Sequence, residues 1–150
     1  MPFQFELVTP ERLLVSRDAE MVVVPGSEGN FGVLPGHSPL ISTIRPGTID
    51  IYEQNRTTIT DRIFVGGGIA EVTPERCTVL ADEAMAPDSL DRAALDAELT
   101  TIEGNLPSLR NQVAAATGTE RERLLAELRH FERQQAVARA KLQVLAEINR

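Results

Sequence analysis

The sequence predicts an α+β chain. Residues 1–87 read as a sandwich or flattened barrel of short strands, and residues 88–150 as an antiparallel α-helical hairpin. Three observations lead there. Before residue 87, apolar residues alternate in period two between closely spaced turn signals. After it, they recur in steps of four and three. Charge shifts at the same place: residues 1–87 carry 6 basic and 12 acidic side chains, residues 88–150 carry 9 and 10, within a formal net charge of −7.

The strands follow in order. Phe3, Phe5 and Leu7 alternate with Gln4 and Glu6. Leu13–Val15 and Ala19–Val24 come next, after a turn at Thr9-Pro10-Glu11. Pro25 to Asn30 and Pro35 to Pro39 are loop signals, dense in Pro, Gly, Ser and Asn. Leu40–Ile44 precedes a turn at Arg45-Pro46-Gly47. Thr48–Glu53 and Thr57–Asp61 read as a hairpin around Gln54-Asn55-Arg56. Ile63–Val65, Ile69–Thr73 and Arg76–Ala81 close the series, with Thr73-Pro74-Glu75 as the last tight turn. Gly66-Gly67-Gly68 lies between strand signals, which marks a bulge or a close backbone approach.

After Ala86-Pro87, Asp88 and Asp91 are candidate helix caps. Leu95, Leu99, Ile102, Leu106, Leu109, Val113 and Ala116 form one stripe. Thr117-Gly118-Thr119 breaks it, and Thr119 to Glu122 reads as a capping box that starts a second helix. Leu124, Leu128, Phe131, Gln135, Ala138, Leu142 and Leu145 form its stripe. Helix-on-helix packing explains both stripes. Gly104 and Pro107 interrupt the first helix, and proline costs about 3 kcal/mol in a helix interior. The apolar series keeps its phase through them, so the helix is expected to kink near residues 103–107 and resume. The expected segments, 89–116 and 120–148, are matched in length at about 28 and 29 residues, each about 42 Å long at 1.5 Å per residue.

Several function classes are excluded. An acidic chain without Trp suits neither non-specific nucleic-acid binding nor base stacking. Cys77 is the only cysteine and sits in a strand-like run, so it is expected to be a buried small apolar residue. His37 and His130 are the only histidines, and no thiolate or imidazole cluster for a metal can form. The glycines lack dinucleotide or phosphate-loop spacing, and Lys141 is the only lysine. No nucleophile, base and metal converge, so no catalytic residue and no cofactor are expected. Met1-Pro2-Phe3-Gln4-Phe5-Glu6 has no basic start or apolar stretch, and no run approaches the ~18 residues of a membrane span. Membrane association is therefore expected to be peripheral.

The segment from Pro25-Gly26-Ser27-Glu28-Gly29-Asn30-Phe31-Gly32-Val33-Leu34-Pro35-Gly36-His37-Ser38-Pro39-Leu40 to Arg45-Pro46-Gly47 resembles the epsilon subunits of bacterial F-type ATP synthases. So does Val65-Gly66-Gly67-Gly68-Ile69-Ala70-Glu71-Val72, followed by Val79 to Ala84. The resemblance covers residues 3–87 in sequence and the remainder in architecture.

It implies a ten-stranded flattened β-sandwich (residues 1–87) and a regulatory helical hairpin (88–150). It implies a non-catalytic rotor subunit of a proton-translocating enzyme, peripheral on the cytoplasmic face of the bacterial inner membrane. The implied partners are the gamma subunit, the ring of c subunits and, with the hairpin extended, the catalytic alpha/beta head, where the helices inhibit ATP hydrolysis. By position, Glu28, Gly29, Asn30, Phe31 and His37 become candidates for the c-ring and gamma contacts. Arg121, Arg129, Arg139 and Arg150 lie within roughly an 80° sector of the second helix. They are candidates for the head contact, although a solvated face also explains them.

Some relatives bind ATP through Leu or Ile, Asp, two variable residues, then Arg-Ala. Here the stretch is Leu90-Asp91-Arg92-Ala93-Ala94-Leu95. Ala94 takes the Arg position, and Arg92 comes two residues early, about 200° around a helix. A free-standing sandwich adaptor that docks an unrelated partner through its hairpin is the alternative reading.

Overall fold

The computed structural model describes residues 2–148. The chain divides between Ser89 and Leu90 into two compact units.

The first unit holds ten strands: β1 (Phe3–Val8), β2 (Leu13–Ala19), β3 (Met21–Gly26), β4 (Gly29–Val33), β5 (Leu40–Ile44), β6 (Gly47–Tyr52), β7 (Asp61–Val65), β8 (Gly68–Val72), β9 (Arg76–Ala81) and β10 (Ala84–Met85). They form one sheet in the order β10-β7-β6-β3-β5-β8-β9-β1-β2, with β4 added on β3. β1 and β9 run parallel, and the other pairs are antiparallel.

The sheet curls over itself, because one core draws from both of its halves. Phe5, Leu7 and Val79 come from one half, Ile49, Ile51 and Val65 from the other, and all six are fully buried. This is the physical reason for the alternation in the sequence: period two aims every second side chain at this interior. An ion-pair clasp reinforces the closure. Arg17 on β2, the strand at one end of the sheet order, reaches Glu53 at 2.7 Å and Asp61 at 3.3 Å, beside β6 and β7. The hydrogen bond to Glu53 raises the guanidinium pKa further.

Three readings of the β unit and of the helix junction are corrected. Pro25 to Asn30 is not all loop: β3 runs to Gly26 and β4 starts at Gly29, so the turn is Ser27-Glu28 alone. Pairing across the hairpin, Pro25 with Asn30 and Gly26 with Gly29, overrides the loop-forming composition. Thr57–Thr60 is not a strand: β6 pairs with Asp61–Val65 instead. The Asn55 carboxamide oxygen accepts from the Thr57 and Thr58 amides at 2.9 and 2.7 Å and occupies donors that a ladder would need. The second helix starts at Gly118, so Thr119 lies inside its first turn and does not cap it. Gly118 has a φ of +62°, a conformation open to glycine at this junction.

The Gly66–Gly68 run does mark a close backbone approach. A Cβ on Gly68 would collide with the Leu80 carbonyl oxygen, and its φ is +146°.

The second unit is a helix pair, α1 (Arg92–Ala115, 24 residues) and α2 (Gly118–Ile148, 31 residues). The helices differ in length where equal lengths were expected, because Leu90 and Asp91 precede α1 and Gly118 joins α2. Asp91 caps α1, its carboxylate accepting from the Ala93 and Ala94 amides at 3.0 and 3.4 Å. Asp88 lies in a 3-10 turn, Pro87–Ser89. α1 continues through Pro107. Beyond it, Leu109 and Val113 are buried with Leu124, alongside Leu128 and Phe131. Each such side chain contributes roughly 1.5–3 kcal/mol on burial, so together they offset a proline that costs about 3 kcal/mol.

Cys77 is fully buried in the β core. Burial pushes its thiol up from 9.0 to about 12. Above pH ~9 the unfolded thiol ionises while the folded one keeps its proton. The unfolded state then binds fewer protons, and stability falls as pH rises, by at most about 1.4 kcal/mol per pH unit in this window. Cys77→Ala removes this component. Urea midpoints at neutral and alkaline pH are expected to fall more steeply in the parent chain than in the variant. Equal slopes would show that the thiol is not protected.

Candidate functional site

Among the described residues no group of three or more His, Cys, Asp or Glu is placed to hold a metal. Among these residues no helix is long and apolar enough to cross a membrane. The features that remain are surfaces, and the sheet register builds them.

The first is the tip of the β3–β4 hairpin. Ser27, Glu28, Gly29 and Asn30 are exposed there. Phe31 is different: it pairs with Val24 on β3 and packs partly buried against the core. Of the candidates in this loop, Glu28, Gly29 and Asn30 stand at the tip and Phe31 stands behind it. Gly26 shows how tightly the base of the hairpin is packed, since a Cβ there would meet the Gly29 carbonyl oxygen at 2.7 Å and the Phe31 ring at 2.9 Å.

His37 does not join this tip. It sits before β5, whereas Gly26 pairs with Ile44 at the far end of that strand. Five residues of β5 separate them, about 17 Å at the ordinary strand rise. The His37 loop is tied instead to the β8–β9 turn, where the Gly36 amide donates to the Pro74 carbonyl at 2.9 Å. The His37 Nδ1 lies 2.7 Å from the Ser38 carbonyl oxygen.

The second surface was not singled out from the sequence. Register aligns Thr43, Ile69, Leu80, Val8 and Leu13 in one row across β5, β8, β9, β1 and β2. These residues face away from the core that Ala70, Val79 and Leu7 fill. Ile41 lies diagonal to Ile69 on the same face. Ile41 is 73% exposed, Leu13 53%, Leu80 52% and Ile69 46%, an apolar strip that water covers at a cost. It is bordered by charge: Glu6 pairs with Arg76 at 3.3 Å, and an open groove of about 420 Å³ is lined by Glu71, Thr73, Glu75, Arg76 and Thr78. The signal in the sequence is the loss of alternation in Leu40-Ile41, Ile69-Ala70 and Val79-Leu80-Ala81, where both faces of the sheet are apolar.

On the helices, the candidate arginines have different surroundings. Arg139 reaches Glu103 on α1 at 3.3 Å, an exposed pair that adds little stability. Arg121 and Arg129 are exposed on α2. Arg150 lies outside the described residues. Leu90 is half-buried, Asp91 has its carboxylate on the cap, and Arg92 is exposed at the first position of α1.

Comparison with known proteins matches this arrangement. A family model described as "ATP synthase, Delta/Epsilon chain, beta-sandwich domain" covers residues 2–87. The ATP synthase epsilon chain of Rhodospirillum centenum is 52% identical over 122 residues, 81% of either chain. That of Rhodospirillum rubrum is 49% identical over 117 residues, 78% of this chain and 86% of the relative. A chain of the Euglena gracilis mitochondrial ATP synthase has the same fold, with a TM-score of 0.67 at 17% identity over 96% of this chain and 81% of that one. A chain of the Tetrahymena thermophila mitochondrial central stalk and c-ring shares it at a TM-score of 0.51 and 13% identity, over 59% and 69%. These matches displace the free-standing adaptor: the chain belongs to the ATP synthase epsilon family, a non-catalytic component of that enzyme.

Proposed function

We propose that the β unit is a rotor body in the central stalk, with its outward apolar strip against gamma and its Glu28 tip toward the c-ring. In this reading it links the turning of a proton-driven ring to the catalytic head, at the cytoplasmic face of the bacterial inner membrane. The observation that carries it is the pairing of a stiff, curled sheet with an apolar strip on its outer face. A body that transmits torque needs a rigid core, and a permanent partner needs apolar area to cover. The tip is a polar surface that adjoins the strip at Thr43, and the change from apolar to polar chemistry suits two different partners on a single body. Euglena and Tetrahymena chains from such assemblies share the fold.

The helix pair is the regulatory unit in this reading, and it inhibits ATP hydrolysis when it extends toward the alpha/beta head. Support comes from its make-up: α1 and α2 are joined by two residues and held by a one-sided apolar seam. Such a seam can exchange partners for a modest free-energy difference. Arg121, Arg129, Arg139 and Arg150 are the residues proposed to meet acidic surfaces there.

Removing residues 88–150 tests the regulatory half. ATP hydrolysis by the assembled complex is expected to rise about fivefold or more, with assembly and proton pumping retained. Hydrolysis that stays level or drops in an intact truncated complex would count against an inhibitory hairpin.

The docking strip is tested by Ile69→Asp with Leu80→Asp. Both residues are exposed, so folding should survive. Affinity for gamma is expected to fall about tenfold or more. Unchanged binding would move the gamma contact elsewhere.

Nucleotide binding is a separate matter. Asp91 is occupied as a cap and Ala94 stands at the family's Arg position. Calorimetry on the free chain is expected to show ATP binding weaker than about 1 mM. A micromolar affinity would overturn this.

A further inference from the structure

The sequence marks Arg45 only as part of the turn after β5, but the fold gives it a second task at a distance. Its backbone amide donates to the Pro25 carbonyl at 3.0 Å. Its two terminal guanidinium nitrogens donate to the Gly26 carbonyl and to the Asn30 side-chain oxygen. Gly26 ends β3 and Asn30 lies at the start of β4, so one planar group bridges both legs of the hairpin just behind the Ser27-Glu28 turn. Thr43 assists from the same strand: the Ser27 amide donates to its carbonyl at 3.0 Å, and the two hydroxyl oxygens lie 2.6 Å apart.

This bracing compensates for a weak point. β3 meets β5 through a single residue pair, Gly26 with Ile44. The tip itself carries Gly29 at a φ of +140°, with open space where a side chain would stand. Without a tie from β5, such a turn pivots about its glycines. A guanidinium fork spans two acceptors at fixed spacing, which an ammonium cannot.

We propose that Arg45 is the positioning residue that holds the Glu28 tip at a fixed angle to the sheet, so that force at the tip reaches the rotor body without bending the turn. The proposal rests on the reading of that tip as the c-ring contact. Arg45 acts through the hairpin legs and not by touching the ring.

The test uses the full-length chain, free and reassembled into the enzyme. In Arg45→Ala, hydrogen exchange at the Ser27 amide is expected to be about tenfold faster, the effect of losing about 1.4 kcal/mol of local stability. ATP-driven proton uptake per ATP hydrolysed is expected to fall, while affinity for gamma stays unchanged. Arg45→Lys keeps the charge but loses the fork, and should resemble Arg45→Ala. Ser27→Cys with Thr43→Cys places two sulfurs where the hydroxyls now meet. Oxidising that pair in the Arg45→Ala background should restore both slow exchange and proton uptake. Normal exchange and uptake in Arg45→Ala would overturn the inference. So would a loss that the disulfide does not repair, since Arg45 would then be a direct contact. Glu28→Arg separates the two levels. If it leaves uptake intact while Arg45→Ala still loosens the tip, the tip is not the ring contact and the bracing stands alone. If Glu28→Arg lowers uptake and Arg45→Ala changes nothing, only the role of Arg45 fails.

Discussion

The β unit depends on one sheet closing over its own hydrophobic face. Nine strands of five to seven residues and a two-residue strand at one end expose two faces to water while they lie open. Curling removes one face entirely, and the side chains at 0% exposure come from strands far apart in the sheet order. The closure cannot be made by backbone pairing alone, because β2 and β10 stand at opposite ends of that order. Arg17 crosses from β2 to Glu53 and Asp61 with two ion-paired contacts. The three side chains are only partly exposed, so the pair is less screened than one fully in water.

Once the inner face is closed, the outer face becomes informative. A sheet that stands alone carries polar residues there, and β8 and β9 do place Glu71 and Thr78 opposite one another. The next row breaks the rule with Ile69, Leu80, Val8 and Leu13. Apolar side chains on an outer face add no core stability and invite association, which ties their presence to a partner. Strand β5 joins this row to the hairpin tip. One of its ends contributes Thr43 and Ile44, beside the tip, and the other leads back to the loop of His37. The strip and the tip therefore adjoin at Thr43, and the five residues of β5 set their spacing from the loop of His37.

Much of this was legible in the sequence, and the failures have definite causes. The strand pattern located β1 by alternation, and β5, β8 and β9 by runs of strand-forming residues between turn signals. It missed β4, whose Gly29, Asn30 and Gly32 have loop character and take strand geometry from β3. It placed a strand at Thr57–Thr60 on β-branched composition, where a single carboxamide on Asn55 decides the local structure. The motif around Glu28 and His37 identified the family, and the intervening strand and turn carry His37 to the other end of β5 from the tip. Arg45 was invisible as a brace because its reach depends on a register between β3 and β5 that no local pattern encodes.

The helix pair follows a different economy. Its buried side chains on α1, Leu95, Ile102, Leu106, Leu109 and Val113, form one stripe, and Leu109 and Val113 pack with Leu124 of α2. Most of these retain 4–8% exposure, against zero for much of the β core. Pro107 is exposed beside that stripe and leaves the Glu103 carbonyl without its helical donor. The Glu103 side chain turns outward to Arg139, a contact between exposed groups that salt weakens. The described contacts that hold α1 to α2, the cluster of Leu109, Val113 and Leu124 and the ion pair of Glu103 with Arg139, are modest in depth or screened by water. A closed sheet with a dry core resists deformation, while a thin seam on a helix that a proline interrupts can be rearranged at modest cost. The division of labour proposed for the two units follows from this contrast in packing: torque belongs with the sheet and switching with the helices.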